Sequence, residues 1–158
     1  MNAIKSASFG SVSRSTLRTE DLLSAFADEL EFQVQRNADA WCGDEDRATR
    51  DRLLHLVWEA REVDPDDEHA SYIVNELSDV LQEFAPDYAY FGAHCGNGAD
   101  FGFWLSEDME QDFDGLKVAD TSEVPDDYSG EVLHVNDHGN ATLYACDAGK
   151  LTEVWAVV

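Results

Sequence analysis

Residues 67–105, DEHASYIVNELSDVLQEFAPDYAYFGAHCGNGADFGFWL, change period at Pro86, and that change decides the fold class. Before the proline, Ala70, Ile73, Leu77, Val80, Leu81 and Phe84 recur three and four residues apart. That spacing predicts an amphipathic helix over 67–84, capped by Asp66 or Asp67. The same period aligns Glu68, Tyr72, Glu76, Asp79 and Glu83 on the opposite stripe. After the proline, Tyr88–Ala93 and Phe101–Leu105 alternate aromatic with small residues, which reads as two strands around a glycine-punctuated loop at 94–100.

Upstream, Leu22, Leu23, Phe26, Leu30 and Val34 predict a helix over about 20–37 with Thr19 as its cap. Leu53, Leu54, Val57 and Ala60, widened by Leu56 and Trp58, predict another over about 45–61. Residues 1–18 read as a flexible N-terminal arm, with an edge strand around Ser8–Val12 as the second reading. Downstream, 131–136, 141–146 and 151–158 read as strands, with turns at Asp137–Asn140 and Asp147–Lys150, and Leu116–Val118 adds a brief strand. The expected fold is α+β: three N-terminal helices packed on a C-terminal antiparallel sheet of four to five strands. Residues 19–158 are expected to form a single acidic domain, with Leu23, Phe26, Leu30, Leu54, Val57, Ile73, Leu77, Val80, Phe84, Phe103, Leu133, Val135, Leu143, Trp155 and Val157 in its core.

Charge is the second strong signal. Thirty-four acidic residues face ten basic ones, a net of −24 over 158 residues. Residues 1–61 carry eight Lys/Arg against eleven Asp/Glu, whereas 62–158 carry two against twenty-three. Such a field disfavours direct binding of nucleic acid and of anionic membranes, and attracts proteins with basic working surfaces. Three scattered cysteines, Cys42, Cys95 and Cys146, make no disulfide framework or paired metal motif, and a reducing, cytoplasmic location is the simpler expectation. No apolar run is long enough to cross a bilayer, and the Ser-rich leader lacks the apolar segment of a secretory signal.

Two loops hold residues with metal or catalytic chemistry: His94, Cys95 and Asp100 in one, His134, Asp137 and His138 in the other. Their spacing matches no closed motif, and His94 beside Cys95 lacks an orienting third group. Glu110–Gly115 opens like a calcium loop, but the twelfth position is Thr121, where a bidentate Glu is needed. Gly92, Gly96, Gly98 and Gly102 lack the order of a phosphate cradle. The expectation is a protein without enzymatic activity, with no catalytic or metal residue and no cofactor.

What remains is a surface that offers carboxylates where a partner expects phosphates. The expected interaction residues are Glu68, Tyr72, Glu76, Asp79 and Glu83 on the third helix, with Glu107, Asp108, Glu110, Asp112, Asp114, Asp126 and Asp127 in the long connection. In size and charge the chain resembles the small acidic inhibitors that phages and plasmids direct against restriction and CRISPR defences. That resemblance implies a nucleic-acid mimic occluding a basic DNA- or RNA-binding protein or complex. The alternative is a non-catalytic adaptor whose acidity serves solubility or salt tolerance, recognising partners through the aromatic Tyr88–Trp104 hairpin. Oligomeric state is left open by the sequence.

Overall fold

Three stretches with apolar residues three and four apart fold as helices. The computed structural model, which describes residues 4–157, runs them as α1 (Thr19–Arg36), α2 (Asp44–Glu62) and α3 (Glu68–Glu83). Asp67 caps α3, its carboxylate accepting the His69 backbone N–H at 2.8 Å. Thr19, by contrast, is the first helical residue of α1 and not its cap. The local hydroxyl is that of Thr16, which donates to Asp21 at 2.6 Å and accepts the Arg18 N–H at 3.1 Å.

The α+β class holds, with the strands distributed between two sheets. The first contains β1 (Gly10–Ser13), β2 (Ala89–His94) and β3 (Asn97–Leu105) in the order β1-β3-β2, all antiparallel. Part of the expected N-terminal arm is thus a strand on β3. Ala7 is buried, its N–H donates to the Phe84 carbonyl at 3.1 Å, and Lys5 pairs with Asp87. Ser6, the buried Gln33 and Asn37 form a short hydrogen-bonded chain that ties the same segment to α1. Gly102 has a steric role here, because a Cβ on it would overlap the Gly10 carbonyl oxygen of β1.

These elements belong to one compact unit, Met1–Ser106, while Glu107–Val158 forms a second. One hydrophobic cluster joins the helices to the first sheet, including Phe26, Leu30, Leu53, Ile73, Leu77, Leu81, Phe84, Phe91 and Phe103. On α2 the buried set is Leu53, Leu56, Val57 and Ala60. Leu54, expected in the core, is 36% exposed, and Trp58 is 58% exposed with its ring stacked on His55. A helix advances about 100° per residue, so 53, 56, 57 and 60 share a face that 54 and 58 leave.

The second unit opens with a helical turn, α4 (Met109–Asp112), whose Met109 is buried along with the following Phe113. Its sheet has the order β4-β5-β6-β7, built from β4 (Leu116–Val118), β5 (Gly130–Val135), β6 (Ala141–Asp147) and β7 (Lys150–Val157). The expected sheet was wholly antiparallel, yet β4 pairs with β5 in parallel. The connection at 119–129 gives the chain the reach to return before β5, as a parallel pair requires. Ala148 and Gly149, at φ 47° and 81°, make the two-residue turn between β6 and β7. Val132 and Leu133 are both fully buried, so both faces of β5 are covered; Val135 and Val157, expected in the core, are only half-buried.

Leu77→Ala should cost about 2–5 kcal/mol, because it empties a fully buried site. Leu54→Ala should stay within about 1 kcal/mol, as surface substitutions do. Urea unfolding of the two variants checks the assignment; equal losses would contradict it.

Candidate acidic docking face

The acidic stripe of α3 is not turned directly away from the core. Glu76, Asp79 and Glu83, with Val80, form one wall of a groove whose other wall is Arg52, Leu53, His55, Leu56 and Glu59 of α2. The groove encloses about 340 Å³. Its apolar part is the half-buried Val80 above the buried Leu53 and Leu56, and four carboxylates and one guanidinium line it. Tyr72 is 55% exposed and donates its hydroxyl to Glu76 at 2.8 Å. His69 stacks on the Tyr72 ring at 5.5 Å, as His55 does on Trp58 at 5.6 Å. Glu68 is exposed at the start of α3 and does not line the groove.

Charge pairing in the first unit is concentrated elsewhere. Arg61 joins α2 to α1 through Glu31 at 2.6 Å and Asp28 at 2.9 Å. Those hydrogen bonds, Glu31's first, raise the guanidinium pKa above its ordinary value. Arg47 pairs with Asp44 and Arg50 with Asp51 on α2. His55 approaches Glu59 at 3.7 Å. Among the described residues, Glu68, Glu76, Asp79 and Glu83 form no ion pair, and neither does Arg52.

The second group of expected residues lies in the other unit. Glu107, Asp108, Glu110, Asp112 and Asp114 are exposed around α4, and Asp126 and Asp127 are exposed in the turn before β5. None of the seven forms an ion pair among the described residues. Their backbone is nevertheless fixed. Met109 and Phe113 anchor α4 on either side of its acids, and Lys117 donates to the Glu110 carbonyl. Between the two groups Asp120 and Glu123 close a reciprocal cap on the 3-10 turn Thr121–Glu123. Hydrogen bonds from Ser122, backbone first, hold the Asp120 carboxyl below its usual pKa, with a smaller contribution from His134.

The metal-type residues are dispersed. His94, Cys95 and Asp100 belong to the first unit, and His134, Asp137 and His138 to the second. His94 accepts the Gly96 N–H on Nδ1 and sets its ring edge-on to Trp104 at 4.7 Å, while His134 Nε2 lies 3.0 Å from the Ala119 carbonyl. The Asp100 Oδ1 atom is buried without a hydrogen-bond partner among the described residues. Among the described residues no group of three His, Cys, Asp or Glu is placed to hold a metal ion. No described helix is long and apolar enough to cross a membrane.

The α2 wall is what sequence reasoning missed. Arg52, Leu56 and Glu59 are spaced four and three apart, so they share one helix face, but nothing in their own sequence says that this face meets the acids of α3. No family model, curated protein or solved structure matches the chain.

Tyr72 gives the geometry a direct test. Its hydrogen bond to Glu76, then the Glu76 charge and more weakly that of Glu59, raise the phenol pKa above its ordinary value. Its tyrosinate absorbance, assigned by difference from Tyr72→Phe, should appear at higher pH than that of a free tyrosine. Glu76→Gln should bring the titration back down. An unchanged titration in that variant would contradict the contact.

Proposed function

We propose that this protein inhibits a basic nucleic-acid-binding protein by occupying its phosphate-binding surface with carboxylates. The observation that carries the reading is that the acids of α3 and of 107–127 stand on ordered backbone yet form no ion pair among the described residues. Nucleic-acid binders draw much of their affinity from Lys and Arg set against phosphates. Asp79 and Glu83 lie about 4.5 and 10.5 Å beyond Glu76 along the helix axis. That is the few-ångström scale of successive charges on a nucleic-acid strand, about 3.4 Å of axis each.

Exposed ion pairs are worth only about 0–1 kcal/mol each, so a useful inhibitor needs many contacts over a broad surface. Both units supply such contacts: the first carries twenty-one acidic against eight basic residues, the second thirteen against two. A target in a defence system, such as a restriction or CRISPR nuclease, fits this chemistry, and a role without catalysis or cofactor accompanies it.

The adaptor alternative draws less support from the aromatic hairpin. Trp104 donates its indole N–H to the Gly92 carbonyl at 2.9 Å, and Tyr90 donates its hydroxyl to the Ala93 carbonyl at 3.0 Å while its ring lies beside Gly92. These rings cover the hairpin's own glycines and have engaged their polar atoms internally.

The deciding experiment is affinity capture from the native host, followed by competition between this protein and DNA or RNA for the purified partner. Mutual exclusion is expected, and Glu76→Lys, Asp79→Lys and Glu83→Lys together should weaken it at least about tenfold, or 1.4 kcal/mol. A partner that held protein and nucleic acid together without antagonism would sink the reading.

A further inference from the structure

We propose that the groove between α2 and α3 seats arginine side chains from a basic segment of the partner, in preference to lysine. The inference rests on the mimic reading and identifies which surface receives which chemical group.

An arginine side chain has two unlike portions, and the groove has a counterpart for each. Its methylene stem needs apolar contact, which the half-buried Val80 provides above the buried Leu53 and Leu56. Its guanidinium is planar and donates in a fork to carboxylates. Glu59 on one wall and Glu76, Asp79 and Glu83 on the other offer eight acceptor oxygens, one of them already engaged by Tyr72 and one near His55. The exposed Tyr72 ring is tied to this groove through its hydroxyl bond to Glu76, and it stacks on His69 of the same helix. Such a ring suits stacking by a guanidinium, which takes that role more readily than the compact, strongly hydrated ammonium of lysine.

Arg52 sharpens the inference. It lines the groove without an ion pair among the described residues, so it partly neutralises the walls without itself engaging any of the four carboxylates. An incoming arginine meets it as a like charge. Removing Arg52 should therefore strengthen binding, an effect that net charge alone does not localise, because Arg36 on α1 is also exposed and also forms no ion pair among the described residues.

The test measures binding of nona-arginine and nona-lysine peptides to the full chain by calorimetry at physiological salt, with circular dichroism confirming each fold. Glu76→Gln with Asp79→Asn should weaken the arginine peptide by about three- to tenfold, the effect of losing one or two modest charge contacts. Asp39→Asn with Glu45→Gln, which removes the same charge from outside the groove, should change it less than about twofold. Arg52→Gln should tighten binding and Arg36→Gln should not. Equal weakening by the two acid pairs, or equal affinity for the two peptides, would overturn the proposal. Failure is separable from that of the underlying reading. If the groove variants bind unchanged while wild-type protein still displaces nucleic acid from its partner, only the groove assignment falls.

Discussion

Everything in the first unit depends on the contact of Phe26 with the sheet. The Phe26 ring is 1% exposed and meets Phe91 edge-on at 5.0 Å and Phe101 at 5.6 Å, while Phe91 leans on Phe103 at 4.9 Å. Aromatic pairs of this kind add about 0.5–1.5 kcal/mol each beyond the area they bury. The ion pairs on the surface are exposed and individually weaker, and the acids outnumber the bases by thirteen in this unit. Self-repulsion of that size favours expansion. The apolar centre must therefore hold α1, and through it α2 and α3, against the charge displayed on their outer faces.

The same division of labour recurs in the second unit at smaller scale. Met109 and Phe113 go inward while Glu110, Gln111 and Asp112 between them stay exposed, so one helical turn is enough to fix a cluster of acids. Further along, Gly149 lets the 126–128 segment lie against the β6–β7 turn: a Cβ there would come within 2.6 Å of the Asp126 carbonyl oxygen, and its own N–H donates to Tyr128. Burial of a few large side chains and close backbone approach thus order a stretch whose composition, read alone, suggests a loose acidic connection.

The helices were legible because their periodicity is unambiguous, as was the break at Pro86, and the same reading narrowed the α3 cap to Asp66 or Asp67, of which the structure uses Asp67. Leu54 was misplaced because Leu53 and Leu54 are adjacent, and only packing against α1 and α3 decides which of two neighbouring leucines turns inward. Trp41, 4% exposed with its indole N–H on the Val34 carbonyl at 2.9 Å, lies in a short connection that carries no repeat to read. The division into two sheets was illegible for a different reason. Strand pairing is non-local, and nothing in β1 or β3 alone says that residues some ninety positions apart will pair. The α3 wall of the groove was visible in the sequence as a stripe of acids; that it faces a second wall required the tertiary packing of α2.

That second wall is a feature the proposed mimicry uses and a purely dispersing surface would not need. Charge that serves solubility works through its total and gains nothing from a shaped recess, apolar contact or an aromatic ring beside it. Glu76 and Glu83 are about 10.5 Å apart along the axis, close to the screening length of about 8 Å at physiological salt. Their fields therefore overlap along the groove, so a cation entering it feels several carboxylates at once. Higher salt shortens that reach and leaves the apolar contacts intact. The groove consequently combines a salt-sensitive attraction with a salt-insensitive fit, whereas scattered surface acids have only the first. It is this combination on one pair of helices, more than the net charge of the chain, that gives the mimic reading a definite place to bind.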